Sequence, residues 1–350
     1  MPDESFPGLD VSEADAVRAA SIAAGNGSLG QPWPPPVGVE RPRRRRLRLP
    51  LVLFLLTCLS TFFAGATRWV PQNYFHEGLP GVLKDGLPDP YFLISLRVAL
   101  LDHWQDGLSY MACVLAILLT HEMGHFLTAT MYRVRASLPY FLPMPLTPLG
   151  TLGAVIVMDG SQADRRQIFD IGLAGPLAGL VVAVPIAVIG VLRMQVLEGP
   201  AMGDAVQFPL AMRLLADWLH PGLYDPQRGL PLAQLNPFLM AGWVGMLVTG
   251  LNMMPVGQLD GGHVTYALFG RRAHLLARLC MVGVFLAMAV AYVVYRVPPV
   301  WLLMAILVLL IGTDHPPTRD DRVPLGAVRV IVGLVSLLIP VLCLAPNPFR

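Results

Sequence analysis

Two histidines one helical turn apart, with a glutamate beside the first, are the residues of this chain best suited to do chemistry: His121-Glu122-Met123-Gly124-His125. On a helix this spacing puts both imidazoles on one face with the carboxylate next to them. Such a set is the first half of a zinc hydrolase site, because Zn²⁺ takes imidazole nitrogens and keeps one position for water. The surroundings are unusual for that chemistry. Val114, Ile117 and several leucines precede the motif, and Phe126 and Leu127 follow it. Ionisable groups in so apolar a run are costly and mark function. The pairing points to peptide-bond hydrolysis carried out inside a bilayer; two structural helix histidines are the alternative.

A tetrahedral site needs a third protein ligand. An extended motif would require Gly at 128 and His at 131, but Thr128 and Met131 stand there. The only glutamate downstream is Glu198, expected on the outer side and out of reach. The best candidate is Asp260, in Asn252-Met253-Met254-Pro255-Val256-Gly257-Gln258-Leu259-Asp260-Gly261-Gly262-His263. There an apolar span breaks at Pro255 and Gly257, freeing backbone groups that need partners or a wet cavity. Asp260 could instead serve only as a helix N-cap. His263, three residues on, is an alternative ligand or a neighbour of the site. His125 precedes Arg133 by eight residues, ~12 Å along a helix, and Asp260 precedes Arg271 by eleven. Both half-sites are expected at one depth, nearer the inner face.

The elements that must position these residues are membrane spans. The chain has 350 residues, 55% hydrophobic and 14% charged, which excludes an ordinary soluble domain. Seven segments can span, near 49–67, 107–131, 168–192, 236–254, 274–295, 299–313 and 325–345. The expected fold is an all-α polytopic membrane protein of about seven helices with a re-entrant, strand-like loop. Residues 138–158 supply that loop: Pro139, Pro143, Pro145 and Pro148 forbid an unbroken helix. Basic pairs on both sides of it (Arg133/Arg135 and Arg165/Arg166) favour an excursion that returns to the face it left. Its latter half, Gly150 to Met158, has strand composition.

Residues 1–48 read as a disordered tail ending in Arg43-Arg44-Arg45-Arg46-Leu47-Arg48, and 49–350 as the membrane domain, with its core at 105–325. The arginine cluster places the N-terminus in the cytoplasm. Arginine makes up 24 of the 25 basic residues, which hints at a bacterial coding sequence and hence a bacterial inner membrane. Cys58, Cys113, Cys280 and Cys343 read as free thiols. Asp159, Asp164 and Asp170 read as loop charges, Asp314-His315-Pro316-Pro317 as a turn, and Gly175-x-x-x-Gly179 as a place of close helix packing.

Three stretches resemble the site-2 protease family of intramembrane zinc metalloproteases. They are His121–His125, the 252–263 run, and Gly150-Thr151-Leu152-Gly153-Ala154 with Asp170-Ile171-Gly172-Leu173-Ala174-Gly175-Pro176-Leu177-Ala178-Gly179. The last pair is most similar to the branch of chloroplast proteases named for ethylene-dependent gravitropism deficiency and their bacterial relatives. The resemblance implies one Zn²⁺ held by His121, His125 and Asp260, with Glu122 as the base and Asn252 as a polar group at the substrate carbonyl. It also implies that 150–158 pairs with an unwound substrate helix. The partners expected are a transmembrane protein substrate and the lipid bilayer, with no nucleic acid. A divalent-metal transporter and an inactive helix-binding scaffold are the rival readings.

Overall fold

A computed structural model describes residues 47–71, 90–195, 204–296 and 301–348. The expected N-terminal tail, up to residue 46, and Glu198 lie outside the described residues. Long apolar runs become helices, and their ends fall where polar caps or breakers stand. Helix α1 covers Arg48–Ala66, α2 Pro90–Asp102, α3 Trp104–Met131 and α4 Arg165–Leu192. Asp164 caps α4: its carboxylate accepts from the Arg166 and Gln167 amides, and Gln167 returns a bond to the Asp164 amide. Two short elements follow, β3 (Ala205–Val206) and α5 (Leu210–Leu219), then β4 (Leu230–Pro231), which pairs with β3. Helix α6 runs Pro237–Asn252, started by Asn236, whose side chain accepts from Leu239 N, with Pro237 preset at the first helical position. Beyond lie α7 (Asp260–Phe269), α8 (Arg272–Tyr295), α9 (Leu302–Ile311), α10 (Ala327–Ser336) and α11 (Ile339–Cys343).

Four of these helices, α1, α3, α4 and α8, are long and apolar enough to cross a membrane. The other three expected spans fall on shorter helices. Helix α6 has 16 residues, ~24 Å against a hydrocarbon core of ~30 Å. The apolar run at 325–345 is divided between α10 and α11. Continuous apolar surfaces are exposed on α1 (Leu51, Leu55, Leu59) and α8 (Leu275, Val282, Leu286, Val293), as helices facing lipid require.

The proline-rich segment is a hairpin. Strand β1 (Tyr140–Met144) pairs antiparallel with β2 (Gly150–Val155), with a register shift between Phe141 and Pro143. That irregularity accommodates Pro143, which has no amide to donate. The hairpin is fastened to α1 and α3. Ser60 Oγ donates to Gly150 O at 2.5 Å, Tyr110 Oη to Leu149 O at 2.8 Å, and Phe54 packs edge-on against Phe141.

Helix α4 runs through the middle, against α3, α6 and α7. Contact is close where glycines remove side chains. A Cβ on Gly124 of α3 would lie 2.6 Å from Ala174 O of α4, and one on Gly242 of α6 would lie 2.6 Å from Ala187 Cα. A Cβ on Gly190 of α4 would overlap the Leu239 backbone. The α4–α6 crossing is therefore a backbone-to-backbone contact, the mode that association in lipid favours. The 204–235 stretch folds back on this bundle, burying Phe208, Met212 and Leu230, and Gln207 O accepts from Trp243 Nε1 at 2.9 Å.

Gly190→Leu is expected to destabilise the bundle by about 1–3 kcal/mol through overpacking. Gly283→Ala on α8, where nothing lies within 4 Å, should leave stability unchanged or raise it by up to about 1 kcal/mol. Melting of the detergent-solubilised variants checks the contrast.

Candidate metal centre

Helix α3 carries His121 and His125 one turn apart, both pointing towards α4 and both buried, at 1% and 5% exposure. Room for the two rings comes from α4. A Cβ at Gly175 would overlap His125 Nε2, and one at Gly179 would lie 3.1 Å from His121 Nδ1. The glycine pair expected to serve helix packing thus faces the imidazoles, while the tight α3–α4 contact is made by Gly124. The carbonyl of Ile171, also on α4, is 2.7 Å from His125 Nδ1. A carbonyl only accepts, so Nδ1 carries the ring proton and Nε2 presents its lone pair.

Asp260 arrives as the first residue of α7, which packs on α4 at Gly172. The chain leaves α6 at Asn252 and turns through Gly257, whose φ of 54° is left-handed. A Cβ on Gly261 would overlap Met253 O, and one on Gly262 would overlap Gly257 O. The Asp-Gly-Gly sequence is therefore what lets α7 begin directly against the turn that feeds it. The N-cap of α7 is Leu259, without a side-chain cap. Asp260 Oδ2 instead lies 3.2 Å from His121 Nε2 and 3.2 Å from His125 Nε2, and those two nitrogens are 3.2 Å apart. The capping alternative for Asp260 is set aside on this geometry.

Three electron-rich atoms at the corners of a triangle with 3.2 Å sides match the edges of a tetrahedron around zinc, about 3.3 Å for bonds near 2.05 Å. Among the described residues they are the group of three able to hold a metal ion. Asn252, the last residue of α6, brings Nδ2 within 3.2 Å of His121 Nε2. Glu122 is 3% exposed and lies within a turn of both histidines on α3. Zinc fits this donor set.

His263 is not brought to the triangle. Its Nδ1 is 2.6 Å from His315 Nε2, and its Cβ faces Gly172 of α4. Asp170 is no loop charge. It lies in the first turns of α4, paired bidentately with Arg329 of α10 at 2.8 and 2.9 Å, and it accepts from Tyr132 Oη at 2.5 Å. Sequence reading missed the Ile171 carbonyl, because a backbone group leaves no residue-type signal. His315, read from the sequence as part of a turn, stands 52 residues from its partner His263.

Residues 109–294 match peptidase family M50. The chain is 31% identical over 307 residues to the probable zinc metalloprotease EGY1, chloroplastic, of Arabidopsis thaliana, covering 85% of this chain and 53% of that protein. It is 32% identical over 312 residues to the EGY1 protein of Oryza sativa subsp. japonica, covering 85% and 50%. The probable zinc metalloprotease EGY2, chloroplastic, of Arabidopsis thaliana is 27% identical over 252 residues, covering 70% of this chain and 43% of that protein. The chain spans about half the length of these curated relatives. It belongs to peptidase family M50, a family of membrane proteases.

Gly175→Ala alters no ligand, yet its methyl group displaces His125 Nε2. Zinc affinity of the purified protein should fall by about tenfold or more, the scale seen when the support of a ligand is disturbed. Gly179→Ala should cost less. Competition with a chromophoric chelator measures both.

Proposed function

We propose that this chain is an integral-membrane zinc endopeptidase that hydrolyses a peptide bond within or beside a transmembrane segment of another protein. The observation that carries the reading is the triangle of buried His121 and His125 with half-buried Asp260, beside buried Glu122, inside a bundle whose outer faces are apolar. His121 and His125 through Nε2 and Asp260 through Oδ2 would hold the zinc. Bound there, zinc lowers the pKa of a water towards ~7 and polarises the scissile carbonyl.

Glu122 is assigned the proton chemistry. Its carboxylate accepts the proton of the attacking water as the carbon–oxygen bond forms, then returns it to the amine nitrogen as the carbon–nitrogen bond breaks. Asn252 donates its amide N–H to the oxygen that gains charge. The Ile171 carbonyl keeps His125 in the tautomer that leaves Nε2 free. The outer edge of β2 is assigned the docking of an unwound substrate segment, which would add a strand to the two-stranded hairpin. A substrate helix must open before its peptide bond is accessible, and strand pairing offsets the hydrogen bonds it gives up.

Beyond the four long helices, α6, α9 and the α10–α11 pair are read as three further crossings, with the N-terminus on the cytoplasmic side. The distribution of arginines supports that orientation, and the arginine-rich composition supports a bacterial plasma membrane. A membrane-anchored regulator is the kind of substrate expected.

Glu122→Gln should lower cleavage of a single-span substrate by about 10²–10⁴-fold while zinc is retained. Chelator should abolish cleavage, and added zinc should restore it. Mass spectrometry of the fragments locates the cut: cleavage confined to soluble regions would sink the intramembrane reading. Cleavage that survives Glu122→Gln removes Glu122 as the base.

A further inference from the structure

Asp260 is placed by a short helix whose position is set by its neighbours. Helix α7 has ten residues and no side-chain cap, and it starts from a glycine turn. On one side it rests on α4, through the His263–Gly172 contact and through Arg165, whose Nε and Nη2 donate to Ala267 O at 2.6 Å and Leu268 O at 3.2 Å. A further support, nearer Asp260, comes from residues 312–325, a strap between α9 and α10 that is remote in sequence from both halves of the site.

The strap crosses the turn before α7, where Thr313 O accepts from Gly257 N at 3.2 Å. His315 follows, 6% exposed although its neighbours Asp314 and Pro316 are exposed. Its Nδ1 lies 2.5 Å from Pro316 O, so Nδ1 carries the proton and Nε2 is left to accept. The donor is His263 Nδ1 at 2.6 Å, one turn along α7 from Asp260. The His315 ring also stacks on Tyr266 of α7, with centroids 4.3 Å apart and planes 14° apart. Tyr266 Oη in turn donates to Asp321 of the strap at 2.9 Å. Burial works against the charge of Asp321, but hydrogen bonds from Thr318 and Tyr266 outweigh it and hold the carboxyl below the usual range.

The strap is itself fixed to the start of α4. Asp320 O accepts from Arg165 N at 3.2 Å, Ala163 O accepts from Arg319 N at 2.9 Å, and Pro324 O accepts from Arg166 Nη2 at 2.9 Å. On the opposite side Asp314 takes both its bonds from Arg278 of α8, at 2.9 and 3.1 Å. The strap therefore binds α7 to α4, the helix against which the two histidines pack.

We propose that the 312–325 strap positions Asp260 against His121 and His125, and that His315, through its bond from His263 and its stack on Tyr266, is the positioning residue of the metal centre. The role rests on the zinc reading of those three residues. His315 touches neither substrate nor metal; it sets where Asp260 Oδ2 lies. A metal ligand loses affinity when its supporting partners are removed, by about 10–100-fold.

The test is the zinc affinity of the full chain in detergent, by chelator competition, with helicity of the metal-free protein followed in parallel. His315→Ala should weaken zinc binding by about 10–100-fold with helicity retained. His315→Gln, whose side-chain carbonyl can accept from His263, should recover most of the loss. Tyr266→Phe, which keeps the ring and drops the bond to Asp321, should show a smaller loss, and it supplies the answer should His315→Ala not fold. Parent-like affinity in both His315→Ala and Tyr266→Phe overturns the positioning role, as does equal weakening in the Ala and Gln variants. Failure of the parent chain to bind zinc overturns the metal centre itself, a distinguishable result.

Discussion

Three lone pairs that repel one another, on His121 Nε2, His125 Nε2 and Asp260 Oδ2, are held 3.2 Å apart, two of them on buried rings. In an apolar bundle such a triangle is unfavourable unless a cation sits among the ligands. Every element around it acts against its dispersal. Helix α3 contributes two corners at fixed spacing, so the only freedom left is the placement of the third. That freedom is removed by α4, which touches α3, α6 and α7 and is the common reference for both halves of the site.

Glycine is how α4 fills that role. At Gly175 and Gly179 it yields space to the imidazoles, and at Gly190 it lets the Leu239 backbone come down on it. Its partners do the same, with Gly124 against Ala174 and Gly242 against Ala187. Without a hydrophobic driving force between helices in lipid, such close approach is a principal source of association. One set of small residues thus serves both cohesion and the room that the site requires. Charged groups act near the N-terminal end of α4, where Asp170, Arg329 and Tyr132 tie it to α10 and to the end of α3.

Much of the site was legible from residue types. His-Glu-x-x-His carries its own geometry, because a helical period converts a spacing of four into one face. Asp260 followed by elimination, since no glutamate stood within reach. The prolines of 138–158 forbade a helix, and the segment is a hairpin. Of seven apolar runs, four are helices long enough to span among the described residues. Hydropathy measures composition, whereas the length of a helix depends on where its backbone breaks, as at the division of 325–345 between α10 and α11. Asp170 was misread because a charge beside a basic pair looks like a loop until the partner 159 residues away is known.

By itself the sequence determined the chemistry on offer: two imidazoles and a carboxylate on one apolar helix, a second carboxylate at a broken span, and enough apolar surface to require a membrane. Those are local properties, encoded by neighbours within a turn or two. Only the tertiary structure decided that Asp260 turns to the histidines rather than capping its helix. It alone showed that Gly175 and Gly179 make room for rings, that Ile171 O selects the tautomer of His125, and that His315 meets His263. Each of these pairs residues far apart along the chain, and the chain's path through the bundle, with its backbone-close crossings, is what brings them together.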